Sequence, residues 1–266
     1  MAKLGFIGAG NMACAIIGGV VASGIVPAGE ILVTAGHEET SARVRTRFGV
    51  KSARSNAALA RESECVLLCV KPIVLPQVLE EVADALHGKL IVSIVAGWDV
   101  ERLRRHLPHD ARVMRVMPNT PLLVGAGMCV FDAQHTTRPE EYDFVKRLFA
   151  AAGEICEVET HAFNAATGIS GCGPAFVYQF IEALADGGVK NGVPRKLAYQ
   201  LAAQTVLGAG AMVLRTGEHP GALKDAVCSP GGTTIEGVAA LERGGLRAAV
   251  IDAVTATVEK TAKLKG

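Results

Sequence analysis

The chain has 266 residues, half of them apolar and a fifth charged, which is enough for one large or two modest domains with real cores. Its 27 basic and 26 acidic residues leave a formal net charge of +1, so no global field recruits nucleic acid or an anionic membrane surface. The longest apolar runs, such as "LIVSIVAG" at 90–97, are strand-length, so no membrane span is expected.

Up to about residue 160 apolar strands alternate with helical stretches. The strands read "LGFIG" (4–8), "ILVTA" (31–35), "ECVLLCV" (64–70), "LIVSIVAG" (90–97) and "ARVMRVM" (111–117), with weaker candidates in "GAGMCVF" and "EICEVE". Near-continuous apolar strands separated by helices imply a mostly parallel sheet covered on both faces, a Rossmann-type doubly wound α/β fold. From about residue 161 the strand signal stops. Ala-, Leu- and Val-rich helices follow, punctuated by Gly and Pro. The expected organisation is therefore an α/β domain over 1–160 and an all-helical domain over 161–266. The helices are apolar over wide faces, which predicts burial against a second copy of the chain.

The first strand runs into Gly8-Ala9-Gly10-Asn11-Met12-Ala13, a G-x-G-x-x-A turn at the start of a helix. Gly8 permits the tight turn, Gly10 lets the backbone approach a pyrophosphate, and small Ala13 lets helix and strand close up. The helix N-terminus adds free N–H groups and a positive dipole end. Strand before and helix after make this a dinucleotide-binding turn. An NAD-specific site usually has an acid at the end of the second strand, but here that place reads Thr34-Ala35-Gly36. A neutral end bearing a hydroxyl, with Arg43, Arg45 and Arg47 downstream, suits the 2′-phosphate of NADP(H), with NAD(H) as the alternative. "CVKP" (69–72), "VAGW" (95–98) and "MPNTP" (117–121) follow later strands and line the same rim; Lys71 reads as an acid catalyst or, preferably, as a surface lysine.

No charged, apolar and cleavage-site layout of a signal peptide opens "MAKLGFIG", so a cytoplasmic location is expected. Seven scattered cysteines without a C-x-x-C pair read as free thiols, and the seven histidines form no ligand-spaced pair with an acid or a thiol, so no metal site is expected.

Two glycine-rich segments mark the helical half. "TGISGCGPAF" (167–176) opens its first long helix. In β-hydroxyacid dehydrogenases a similar glycine triplet precedes a catalytic lysine and an asparagine, but those slots are Val177 and Ile181 here, so that chemistry lacks its proton carrier. "SPGGTTIE" (229–236) spaces Thr233 and Glu236 as a capping box, which predicts a helix start. The free N–H groups of that start, with the Gly231 and Gly232 amides and the Ser229 hydroxyl, form a site for one carboxylate without any basic residue. A glycine-rich helix connection is the competing reading of this loop.

"GFIGAGNMA", "VKP", "MPNTP", "TGISGCGPAF", "ALADGGVKNGVPR" and "HPGALKDAVCSPGGTTIEGVAALE" together closely resemble pyrroline-5-carboxylate reductase over nearly all of residues 4–260. The resemblance implies NADPH- or NADH-dependent reduction of 1-pyrroline-5-carboxylate to L-proline, by a homodimer built through the helical domain and often assembled further into a decamer. By position it places the cofactor against Ile7, Gly8, Ala9, Gly10, Asn11, Met12, Thr34, Asn56, Val70, Lys71, Pro72, Ala96 and Gly97. It places the substrate against Ser229, Gly231, Gly232, Thr233 and Thr234, and Thr234 is the expected catalytic hydroxyl near the ring nitrogen. The chain departs from the family's usual loop at Cys228 and Thr233. A related cyclic imine acid as substrate, or a dinucleotide-binding regulatory protein without catalysis, are the other readings.

Overall fold

The computed structural model describes residues 4–264. Among these residues eight strands form one sheet: β1 (Leu4–Ile7), β2 (Ile31–Thr34), β3 (Lys51–Ser52), β4 (Cys65–Leu68), β5 (Leu90–Ser93), β6 (Arg112–Met117), β7 (Gly127–Asp132) and β8 (Gly153–Val158). The order is β3-β2-β1-β4-β5-β6-β7-β8. The neighbouring strands are parallel, except β7, which runs antiparallel to β6. This is the doubly wound sheet expected from the apolar runs. β3 carries no apolar run of its own: Lys51 and Ser52 only extend the edge beside Leu32 and Val33.

Six helices cover the sheet: α1 (Asn11–Ser23), α2 (Glu38–Phe48), α3 (Asn56–Glu62), α4 (Leu75–Val82), α5 (Val100–Arg104) and α6 (Pro139–Ala150). Side chains alternate across each strand, so the buried strands feed two cores at once. Phe6, Leu67 and Val92 pack on one face with Ile16 and Ile17 of α1 and Leu148 of α6. Ile7, Val66 and Ile91 pack on the other with Leu59 of α3, Leu79 of α4 and Leu103 of α5.

After β8 the chain is helical: α7 (Phe163–Thr167), one π-helical turn (Gly168–Cys172), α8 (Gly173–Lys190), α9 (Arg195–Thr216), α10 (Pro220–Ala226), α11 (Thr233–Arg243) and α12 (Leu246–Lys263). The sheet thus ends where the sequence pattern changes, near residue 160, but the compact units divide elsewhere. Among the described residues, one unit holds 4–172 and 257–264, the other 173–256. The reason is local. Phe163 is buried beneath the Arg115 guanidinium, whose carbon lies 3.6 Å from the ring centre. Arg115 in turn pairs with Asp132 at 2.7 Å, and Asp132 accepts from Thr160 Oγ1 at 2.6 Å and from the Gln134 amide at 3.1 Å. This buried ion pair ties β6, β7 and the entry to α7 together.

Within the helical unit α8 and α9 pack through a core of small residues, Ala185, Ala198 and Ala202, with Ile181, Val189 and Val193 beside them. Large apolar side chains remain exposed, among them Leu207 at 62%, Leu214 at 81% and Ile251 at 64%. α9 is long and apolar enough to cross a membrane, which the strand-length reading of the apolar runs did not anticipate. Its leucines, valines and alanines raise the average hydropathy of the helix, but glutamines, threonines and glycines between them break up any conspicuous apolar block.

Candidate functional site

The G-x-G-x-x-A turn sits at the carboxyl end of β1, beside the point where the strand order reverses between β1 and β4. Ligands of such sheets bind in that crevice. Gly8 has φ +102° and its N–H donates to the Thr34 carbonyl at 3.0 Å. A Cβ on Gly8 would lie 2.5 Å from the Cys69 carbonyl oxygen, so neither the backbone conformation nor the space admits a side chain. Gly10 is the N-cap of α1, makes no side-chain cap and has open space around it. The first turn of α1 carries no acid, so its N–H groups face outward uncontested. Burial pushes the Cys69 thiol up, which keeps it neutral beside the turn. Such a cradle fits a pyrophosphate.

The other residues assigned to the cofactor fall on the same rim of the same unit. Ile7 and Ala9 are buried in the strand and turn, while Asn11 and Met12 open α1. Thr34 ends β2 and is 6% exposed; its hydroxyl donates to Asn56 Oδ1 at 2.7 Å. Asn56 opens α3, where the Ser55 hydroxyl caps the helix by accepting from the Ala58 amide. Val70, Lys71 and Pro72 follow β4, and Ala96 and Gly97 follow β5. Lys71 is exposed. Arg45 donates to Ser52 Oγ at 3.2 Å and Arg47 lies over the Phe48 ring, so both are engaged on their own side of α2.

Two features at this rim are not conspicuous in the sequence. Arg102 lies 4.1 Å over the Trp98 ring and donates to the carbonyls of Gly97 at 3.4 Å and Leu264 at 3.1 Å, so the end of α12 is fastened to the Gly97 turn. Trp98, Arg102 and Leu264, with Lys71, Pro72 and Ile73, border a cleft of about 510 Å³. Asn119, which the strand pattern places on the rim, is committed instead to holding the π-helical turn. Its Oδ1 accepts from the Met128 amide at 2.9 Å and its Nδ2 donates to the Ser170 carbonyl at 3.0 Å.

The helical unit presents the second constellation. The Gly232 N–H donates to the Ser229 carbonyl at 3.0 Å, closing a four-residue turn with Pro230 and Gly231 at its corners and Gly231 at φ +68°. This is the residue pattern of a type II turn. α11 then begins at Thr233 with Gly232 as its N-cap, and no side chain caps it. The expected capping box does not form: Thr233 is the first helical residue, not the cap, because Gly232 at φ −81°, ψ 168° takes the extended cap position. The correction alters the anion site in two ways. The Gly232 amide is spent inside the turn, and the amides of Thr233, Thr234 and Ile235 become the open donors of the helix start. A Cβ on Gly232 would collide with the Ser229 hydroxyl, so this glycine is what leaves that hydroxyl its place.

Comparison with known proteins bears on both constellations. The description "NADP oxidoreductase coenzyme F420-dependent" matches residues 3–97, and "Pyrroline-5-carboxylate reductase dimerisation" matches residues 160–264. The chain is 46% identical to the pyrroline-5-carboxylate reductase of Escherichia coli over 263 residues, 98% of each chain. It belongs to the pyrroline-5-carboxylate reductase family. Among solved structures of that family, the chain is similar to the Plasmodium falciparum reductase with NADP bound, at TM-score 0.90 and 33% identity, covering 100% of this chain and 98% of that one. It is equally similar to the reductase of Coxiella burnetii, at TM-score 0.91 and 32% identity, covering 100% and 99%. As a family member the chain thus combines a nucleotide-binding fold with a helical dimerisation region.

Proposed function

We propose that this chain reduces the imine of 1-pyrroline-5-carboxylate to L-proline, with NADP(H) as its cofactor and NAD(H) as the alternative. The observation that carries the reading is the turn Ser229–Gly232 opening α11 without a side-chain cap, in a member of this family. The division of labour that follows assigns residues 1–160 to the dinucleotide and residues 161–266 to the substrate and to dimerisation.

The bound nicotinamide would supply a hydride to the imine carbon while a proton reaches the nitrogen. Everything else falls to this chain's residues. Ile7 to Met12, Thr34, Asn56, Val70 to Pro72, and Ala96 with Gly97 hold the cofactor. The substrate has one fixed negative charge, its carboxylate. The first amides of α11, the Gly231 amide and the Ser229 hydroxyl bind that charge through hydrogen bonds and the positive end of the helix. The carboxylate is unchanged during reaction, so these groups bind and orient, and orientation supplies much of the rate. Thr234 holds its hydroxyl at the ring nitrogen and manages the proton there. An iminium carbon accepts hydride readily, so no further acid is needed.

A homodimer covers the exposed apolar faces of α9 and α12, and the dimers assemble further into a decamer. A second copy, not lipid, is the partner of α9; the near-neutral net charge of +1 supports work on a small molecule without nucleic acid or membrane, and the place of that work is the cytoplasm. The test is NADPH consumption and proline formation with 1-pyrroline-5-carboxylate, run beside its six-membered homologue. No turnover of either, or faster turnover of the homologue, overturns the assignment.

A further inference from the structure

Thr34 occupies the place where an NAD-specific site carries an acid, and its hydroxyl is already engaged with Asn56 Oδ1 at 2.7 Å. At the other end of the same amide, Asn56 Nδ2 donates to Glu81 Oε2 of α4 at 2.8 Å. The three groups form a chain of fixed direction. A carboxylate only accepts, so the amide nitrogen must face Glu81 and the amide oxygen must face Thr34. An amide oxygen only accepts, so the Thr34 hydroxyl must give its proton to Asn56. Thr34 is left presenting lone pairs to the rim, and one of the two N–H groups of Asn56 is spent.

A ribose hydroxyl can donate to such an acceptor. A 2′-phosphate needs donors and is repelled by a carboxylate nearby. We infer that Glu81 is a specificity-determining residue: acting through Asn56, it supplies from α4 the acidic character that β2 lacks, and so narrows the preference for NADP(H) over NAD(H). Glu81 is a positioning residue, exposed on α4. Its effect has two parts, the direction it imposes on the Asn56 amide and the charge it adds.

The inference rests on the dinucleotide reading of the Gly8 turn, so its test uses nucleotide fragments and no turnover. The intact protein and its Glu81→Gln and Glu81→Leu variants are titrated calorimetrically with 2′,5′-ADP and with 5′-AMP. Glu81→Gln keeps an acceptor for Asn56 and removes the charge; it should tighten 2′,5′-ADP about three- to tenfold and leave 5′-AMP unchanged, with a gain that shrinks in high salt. Glu81→Leu also frees the amide to turn its nitrogen toward the phosphate, so its gain for 2′,5′-ADP should be larger. Equal changes for both fragments, or no change for either, overturn the role of Glu81. If the unaltered protein binds neither fragment, the dinucleotide reading itself fails and the inference falls with it.

Discussion

Replacing Gly232 with alanine tests the substrate turn without straining the backbone. Gly232 has φ −81° and ψ 168°, which alanine adopts freely. The added Cβ would collide with the Ser229 hydroxyl and come within 3.1 Å of the Ser229 carbonyl oxygen. The hydroxyl is the movable partner, so it must rotate away. A hydrogen bond from it to a carboxylate is worth about 1.5–3 kcal/mol, so Ser229→Ala should raise KM roughly ten- to a hundredfold with kcat little changed. Gly232→Ala should reproduce that rise although it removes no polar group. The double variant should be no worse than Ser229→Ala alone, because with the hydroxyl gone the Cβ has room; the coupling should then equal about the whole 1.5–3 kcal/mol. Steady-state rates of NADPH oxidation against 1-pyrroline-5-carboxylate give all four corners of the cycle. Losses that multiply in the double variant, or a Gly232→Ala enzyme indistinguishable from the parent, would refute the claim that this glycine serves the Ser229 hydroxyl.

Thr234→Val removes a hydroxyl and keeps the shape; kcat should fall by up to about a hundredfold while Thr234→Ser retains most activity, and an effect on KM alone would make the group a binding contact. Gly8→Ala forces a side chain into φ +102° against the Cys69 carbonyl, so urea melts should show a loss of about 1–3 kcal/mol and calorimetry should show weakened NADP binding. Arg115→Met leaves the fully buried Asp132 carboxylate without its cation and should cost about 3–5 kcal/mol in the same melts, much of it recovered by adding Asp132→Asn.

The doubly wound sheet is legible because near-continuous apolar runs such as those of β1 and β4 are buried on both faces and tolerate few polar residues. The turn after β1 is legible because one of its glycines, Gly8, is required both by φ and by space. The short edge strand β3 is not, because an exposed lysine and a half-exposed serine gain their strand conformation only from pairing with β2. The capping-box reading puts the start of α11 one residue late: a Thr and a Glu three apart look like a cap, but the preceding Gly232 in extended conformation takes that role and Thr233 is already helical. Asn56 and Glu81 stand 25 residues apart and meet only once α3 and α4 have packed, so no local spacing announces them. Arg115 and Asp132 hide inside strands that read as apolar, and their pairing is set by the antiparallel register of β6 and β7.

The fastening of Leu264 to Arg102 spans 162 positions along the chain. Residues 257–264 belong to the nucleotide-binding unit although residues 173–256 intervene. The unit that is made first is therefore the one that finishes last. During synthesis the sheet can assemble as its strands emerge, yet the Trp98–Gly97 corner stays open until residue 264 has been made. The helical unit becomes an insertion that must fold, or at least bring its ends together, before the older unit can close. A ribosome-stalled chain ending before α12 should accordingly present a sheet with an unfinished rim, and competence to close that rim should arrive with the last helical turn.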